Sequence, residues 1–117
     1  MEQALSRDDA CLVEGLRAGD EAAFAALMRM YGAGMLWVAQ MFVPSRAVAE
    51  EVVQEAWLGV LKGIERFEGR SSLKTWIFRI LTNTAKTRAL REGRSIPFSS
   101  LAGDDEPGGV EPERFLG

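Results

Sequence analysis

A cluster of basic, hydroxyl, amide and aromatic side chains lies between residues 70 and 86, where the apolar spacing predicts a helix from about Leu73 to Glu92. At about 100° per residue, one side of that helix gathers Thr75, Arg79, Thr82, Asn83 and Lys86, with Trp76 at its boundary. The preceding loop and first turn add Arg70, Ser71, Ser72 and Lys74. Arginine and lysine can bind phosphates, while hydroxyls and amides can bond to the backbone or to base edges. The cluster therefore indicates a nucleic-acid contact.

Trp76 has two interpretations at this point. An unpaired base can stack on an exposed tryptophan, which is worth about 1–3 kcal/mol per base. Tryptophan at the boundary of a helix face is also commonly a core side chain that is at least half buried. The spacing is compatible with both.

The charge of the chain is divided by position. The formal net charge is −3, but residues 1–65 hold five basic and ten acidic side chains, residues 66–94 hold eight and two, and residues 95–117 hold one and five. A cationic segment between two acidic ones suggests a surface that faces phosphates. The alternative is that these charges are merely solvated helical faces.

The absence of certain residue types excludes several kinds of chemistry. The chain has no histidine, and Cys11 is its one cysteine. This rules out a disulfide framework, a Cys/His zinc site and a histidine general base. Glu50, Glu51 and Glu55 share a helical face without a converging second set of ligands, so we predict no metal site, no cofactor and no enzymatic activity.

No membrane segment is expected. The longest uncharged stretch, between Arg29 and Arg46, has 16 residues, whereas a membrane-spanning helix needs about 20 apolar ones. The N-terminus lacks the basic start and long apolar stretch of a signal peptide. With a single cysteine, the chain is expected in the reducing cytoplasm, without a membrane partner.

The length of 117 residues fits one domain with a tail. Three of the four prolines and five acidic residues follow residue 95, so we expect a folded body over residues 1–94 and a flexible acidic linker or tail over residues 95–117. Within the body the apolar spacing is helical throughout. The predicted fold is an all-α bundle of about four helices.

The helix ends are predicted from capping chemistry. The N-caps should be Asp8 or Asp9, then Asp20, then Ser45, then Ser71 or Ser72. Gly19 should end the first helix in the left-handed conformation, and Pro44 should end the second. Gly32 and Gly34 suggest that another helix crosses closely there.

The third predicted helix has an apolar stripe from Val48 to Ile64 and an outer face with Glu50, Glu51, Gln54, Glu55, Leu58 and Lys62. Leu58 is apolar amid acidic side chains, which suits a partner with basic groups around an apolar spot. An ordinary solvated helix with one exposed leucine is the alternative.

Two segments of these helices carry a family resemblance. Residues 49–57 (AEEVVQEAW) and 67–83 (FEGRSSLKTWIFRILTN) resemble the second conserved region of bacterial sigma factors of the extracytoplasmic-function type. The similarity covers roughly residues 8–94. Glu68-Gly69-Arg70 departs from the family, in which a basic residue often precedes the glycine and an acidic one follows it, and Leu73 stands where phenylalanine is common.

The resemblance implies a helical domain that binds core RNA polymerase and recognises and helps to melt the minus-ten promoter element by capturing unpaired non-template bases. It also implies that a coiled coil of the polymerase clamp is bound by Glu51, Gln54, Glu55 and Leu58. A further partner that the resemblance implies is an inhibitory anti-sigma protein. Such proteins carry a helix-turn-helix domain after the linker, so we expect either that the sequence is a fragment or that this domain lies elsewhere.

A second function remains open. A helical protein-interaction domain without sequence-specific DNA binding could use the basic helix only as a docking surface. Preference for single-stranded promoter sequence over scrambled sequence distinguishes the two.

Overall fold

The computed structural model describes residues 5–93. These residues form α1 (Arg7–Arg17), α2 (Glu21–Ala39), α3 (Arg46–Gly63), a 3₁₀ turn (Ile64–Arg66) and α4 (Leu73–Arg91). Since no strand occurs among them, the all-α fold is confirmed. The predicted tail, residues 95–117, lies outside the described residues.

Three of the four predicted N-caps are confirmed. The side chains of Asp20, Ser45 and Ser72 accept hydrogen bonds from backbone N–H groups two or three residues ahead, at 2.9–3.1 Å. Ser72, rather than Ser71, is thus the cap of α4. Gly19 has φ of 79°, as expected of a glycine that follows the end of a helix.

The prediction of Asp8 or Asp9 as the cap of α1 is wrong. Ser6 Oγ accepts the backbone N–H of Asp9 at 3.0 Å and begins the helix one turn earlier. The Asp9 carboxylate instead accepts the backbone N–H of Leu73 at 2.9 Å. Asp9 therefore bonds to the start of α4 and not to its own helix.

The end of α2 also differs from its prediction. The helix stops at Ala39, five residues before Pro44. Phe42 and Val43 follow in a turn and are buried. The turn buries the side chains of Phe42 and Val43, and α2 therefore ends before Pro44 would have to end it.

The close helix crossing lies at Gly15, not at Gly32 or Gly34. A Cβ added to Gly15 would lie 2.7 Å from the Cβ of Ala23, so α1 and α2 approach there more closely than two side chains allow. A Cβ on Gly32 would meet nothing within 4 Å, and one on Gly34 would make an ordinary contact of 3.5 Å with Phe78. The predicted crossing is therefore wrong.

The core forms where α2, α3 and α4 meet. Its largest fully buried side chains are Leu27, Met35, Val52, Val60, Leu73, Ile77 and Leu81. On the inward side of α4, Leu73, Ile77 and Leu81 are fully buried, whereas Ile80 and Thr84 are only partly buried. On α3, Leu61 is exposed although its spacing predicted burial.

Three large apolar side chains of α2, Met28, Met30 and Trp37, are exposed, and so is Met41 in the turn that follows. By length and mean hydropathy, 1.3, α2 could cross a membrane, a test that the core helix of a soluble protein also passes. Here α2 contacts α1, α3 and α4. Its Phe24 ring meets Trp57 edge-on at 5.5 Å, and Tyr31 meets Phe78 at 6.1 Å. The absence of a membrane partner stays a prediction.

Candidate nucleic-acid interface

The loop of residues 67–72 leads into α4 and carries the first predicted contact residues. Gly69 turns it with φ of 74°. Arg70 is highly exposed and pairs with Glu68 at 3.0 Å, a surface ion pair that a phosphate could displace at little cost. Ser71 Oγ donates to the carbonyl of Ser72 at 3.0 Å. Of this group, Arg70 is the side chain best placed to reach a ligand.

Ser72 and Thr75 are engaged with each other at the start of α4. Ser72 Oγ accepts from the Thr75 backbone N–H at 3.1 Å and donates to Thr75 Oγ1 at 3.0 Å. These bonds satisfy groups at the helix N-terminus. The two hydroxyls therefore act first as a cap.

The outer face of α4 places its predicted residues at different depths. Lys74 and Thr75 are exposed, while Arg79, Thr82 and Lys86 are partly buried. Lys74 Nζ lies 5.9 Å from the centre of the Phe78 ring, within cation–π range. Thr82 Oγ1 donates to the Arg79 carbonyl at 3.2 Å. The basic residues thus present cations along the helix.

Trp76 combines the two roles that its spacing left open. Its ring packs against Phe67 with centroids 4.7 Å apart and an interplanar angle of 42°. A Cβ on Gly63 would lie 3.2 Å from Trp76 Cζ2, so Gly63 makes room for the indole. The side chain is nevertheless only partly buried. It is a core side chain on one side and an accessible aromatic surface on the other.

Asn83 lies elsewhere than predicted. It is 5% exposed and faces α3, so its assignment to the outer face of α4 beside Thr82 is wrong. The helices approach closely at Gly59, where an added Cβ would lie 3.1 Å from Ile80 Cγ2, and this covers the neighbouring turn of α4. Asn83 Nδ2 is buried and has no hydrogen-bond partner. Such a donor costs about 1–3 kcal/mol.

Asn83 lines a groove between α3 and α4, called here the α3–α4 groove. The groove has a volume of about 550 Å³. Its lining comprises Glu55, Leu58, Gly59 and Lys62 of α3 with Ile80, Asn83, Thr84, Thr87, Arg88 and Arg91 of α4. The groove thus brings together the amide of Asn83, two threonine hydroxyls and three basic side chains on one concave surface.

The outer face of α3 is exposed as predicted, and Leu58 is 54% accessible amid carboxylates. Glu51 is not free on that face, because it binds the Arg88 guanidinium of α4. Hydrogen bonds with Glu51 and then Glu92 raise the pKa of Arg88. Glu55 and Leu58 also line the α3–α4 groove. The two predicted surfaces therefore adjoin.

Spacing alone missed Lys62, Arg88 and Arg91 as groove residues. The available signal was the excess of basic side chains over residues 66–94. Helical periodicity could not place them, because the neighbouring helix defines the groove. No group of three metal-binding side chains was found in residues 5–93.

Comparison with known proteins places this fold in a family. Residues 27–95 match the family model of Sigma-70 region 2. The chain is 35% identical over 97 residues to the RNA polymerase sigma-H factor of Pseudomonas aeruginosa, covering 83% of this chain and 50% of that protein. It is 37% identical over 93 residues to the ECF RNA polymerase sigma-E factor of Escherichia coli K12, covering 80% and 48%.

A solved structure agrees with these relatives. The fold resembles an engineered region 2 of sigmaE, studied by NMR in complex with GTAAAA, with a TM-score of 0.66 and 32% identity over 80% of this chain and 95% of that one. The chain belongs to the Sigma-70 region 2 family, as its sequence resemblance predicted. It spans about half the length of the curated relatives it matches.

Proposed function

We propose that this chain is the promoter-recognition part of a bacterial sigma factor. It binds core RNA polymerase through the outer face of α3 and captures unpaired non-template bases of the minus-ten element on α4 and the 67–72 loop. The mechanism is binding and trapping of melted DNA, without a covalent step. The relatives are named as RNA polymerase sigma factors of bacteria, which supports a location with RNA polymerase in the bacterial cytoplasm for this chain.

The observation that carries the DNA part of this proposal is the unpartnered amide of Asn83 in the α3–α4 groove. A base edge offers carbonyl and ring-nitrogen acceptors, and a rotation of the Asn83 side chain within the groove that it lines would let the buried donor reach them. The Arg88 and Arg91 guanidinium groups line the same groove and can bind the phosphates that flank the base. The solved structure that this fold resembles was studied in complex with GTAAAA, which supports a ligand of the same kind here.

The polymerase part is supported by the outer face of α3. Leu58 is exposed one helical turn after Gln54 and Glu55, and an exposed apolar side chain can form the apolar core of a protein interface. The carboxylates around it would favour a basic partner surface. Docking at Leu58 and Glu55 would place the polymerase beside the α3–α4 groove.

Fluorescence anisotropy with labelled single strands tests the DNA part. The 117-residue chain should prefer an oligonucleotide containing GTAAAA over one with the same bases scrambled. Asn83→Ala should lose most of that preference without a lower thermal midpoint, because the substitution removes a buried donor that has no partner. A chain without any preference would contradict minus-ten recognition.

Gln40→Ala is the matched control, since it removes an exposed amide at the end of α2, outside the groove. It should bind like the parent chain. If Asn83→Ala also binds like the parent, base contact by Asn83 is wrong, although recognition by the rest of α4 would stand.

A protein-interaction function is favoured by a different observation. Trp37 is 66% exposed on the outer surface of α2, near Met30 and Met41, which are also exposed. Such a surface suits a protein partner, including an inhibitory one. A chain that binds both oligonucleotides equally, and only at low salt, would support this alternative.

A further inference from the structure

The 67–72 loop is held at both of its ends by side chains of α1. Arg17 Nε donates to the carbonyl of Ile64 at 3.0 Å, and Arg17 Nη2 donates to the carbonyl of Phe67 at 2.6 Å. At the other end, the Asp9 carboxylate accepts the backbone N–H of Leu73 at 2.9 Å. Two residues distant in sequence thus fix where the loop begins and where it ends.

A third contact covers the middle of the loop. Leu5 Cδ2 lies 3.5 Å from the position of a Cβ on Gly69, the residue that turns the chain with positive φ. The start of the described chain therefore packs over the bend. Arg17 thus contacts the first residue of the loop, Leu5 packs over its turn, and Asp9 bonds to the residue that follows its end.

The loop carries this restraint to the aromatic surface of α4. Arg17 holds the carbonyl of Phe67, and the Phe67 ring packs on Trp76 at 4.7 Å. Asp9 holds the first residue of α4, three positions before Trp76. A shift of α1 would therefore move Phe67, on which the Trp76 ring packs, and the loop backbone that carries Arg70.

Capping explains only part of this arrangement. Ser72 already caps α4 through the Thr75 N–H, and a helix N-terminus is stable with one such side chain. The Arg17 fork binds two carbonyls that lie three residues apart, on either side of the chain reversal after α3. This is a geometric restraint on the path of the loop, beyond satisfaction of a single carbonyl.

We propose that Asp9 and Arg17 are positioning residues for base recognition: they do not touch the nucleic acid, and they set the conformation of the 67–72 loop on which its preference among bases depends. This inference rests on the proposed function. It assigns to α1 a role in specificity, separate from the residues of α3 and α4 named above.

The test uses four variants of the 117-residue chain. Asp9→Ala and Arg17→Met remove the bonds, while Asp9→Asn keeps an oxygen that can accept from Leu73. Glu14→Ala, also exposed on α1, is the matched control. Each is measured for its affinity for the GTAAAA and scrambled single strands, its thermal midpoint, and hydrogen exchange of backbone amides over residues 64–76.

We expect Asp9→Ala and Arg17→Met each to lower the ratio of the two affinities about fivefold, the factor that corresponds to one net hydrogen bond of about 1 kcal/mol. Exchange should quicken over residues 67–73 and stay unchanged in α3. Asp9→Asn and Glu14→Ala should keep the parent ratio. Because Asp9→Asn removes the negative charge but keeps the accepting oxygen, a parent-like affinity ratio in this variant would show that the hydrogen bond, and not the charge, is required.

Two results would overturn the inference. Folded Asp9→Ala and Arg17→Met variants with the parent ratio would show that the loop needs no restraint from α1. Equal loss of affinity for both strands would show that α1 affects binding but not selection. Should Arg17→Met fail to fold, the Asp9→Ala and Asp9→Asn pair decides. A parent chain with no preference contradicts the proposed function itself, and that outcome is distinct from the first two.

Discussion

Between α3 and α4 lies a groove lined largely by charged and polar groups, whereas α1 and α2 meet in a tight crossing of small residues. Between α3 and α4, Glu51 and Arg88 pair across the helices and Asn83 keeps a buried donor unpaired. At the crossing, α1 and α2 meet at Gly15 without space for one more methyl group. The groove between α3 and α4 thus keeps polar groups that a ligand could bind, whereas the crossing of α1 and α2 leaves no room for one.

The largest effect should follow from changing the α3 face. Glu55→Arg combined with Leu58→Asp should abolish binding to core RNA polymerase in a pull-down, because it reverses a charge and places a carboxylate at the apolar centre of the surface. Both positions are exposed, so helix content by circular dichroism should not change.

The matched control for that variant lies on the other side of the molecule. Glu14→Arg with Met30→Asp repeats the same chemical changes on α1 and α2, and Met30 is 56% exposed, close to the 54% of Leu58. It should bind polymerase normally. Equal loss in both double variants would mean that charge, and not the α3 face, governs binding.

The second effect concerns packing. Gly15→Ala should destabilise the fold by about 1–3 kcal/mol, the usual cost of overpacking, since its Cβ would lie 2.7 Å from that of Ala23. Thermal unfolding followed by circular dichroism measures this. An unchanged midpoint would show that α1 and α2 can separate without cost, and the contrast between the groove and the crossing would then fail.

A smaller effect is expected on the basic face. Arg79→Ala should lower affinity for both single strands alike and reduce the slope of log affinity against log salt by about 0.7, the value for one phosphate contact on single-stranded nucleic acid. Arg29→Ala, an exposed arginine on α2, is the control and should leave the slope unchanged. A change in base preference with Arg79→Ala would instead indicate contact with a base.

The smallest expected effect is a gain in thermal stability. Gly32→Ala lies within α2, where an added Cβ meets nothing within 4 Å. Alanine is more favourable than glycine in a helix interior by about 0.5–1 kcal/mol, so the midpoint should rise slightly. Gly15 and Gly32 undergo the same substitution. A lower midpoint for Gly15→Ala and a higher one for Gly32→Ala would therefore identify the tight crossing as the cause of the loss.

Local chemistry made much of the fold predictable. The caps Asp20, Ser45 and Ser72 bond to groups two or three residues away, and sequence shows such neighbours directly. Ser6 was missed because Asp8 and Asp9 are equally good capping types. The choice follows from the bond of Asp9 to Leu73, which is 64 residues away.

The exposure of the candidate site residues was predictable where helical periodicity alone determines it, as on the outer face of α3. It was not predictable at Asn83, whose angular position is at the margin of α4 and whose burial depends on how closely α3 approaches at Gly59. The same holds for Gly15, where the partner helix makes the glycine necessary. Contacts between elements require the packing geometry, which a single helix does not contain.

The bonds from α1 to the 67–72 loop also bear on the order of folding. Arg17 and its acceptors Ile64 and Phe67 are separated by 47 and 50 residues, so α1 leaves the ribosome long before its partners exist. Contacts of such long range carry a high loop-closure cost and tend to form late. Removing them should therefore speed unfolding more than it slows folding. The 67–72 loop would then be among the last parts of the domain to become native and among the first to open.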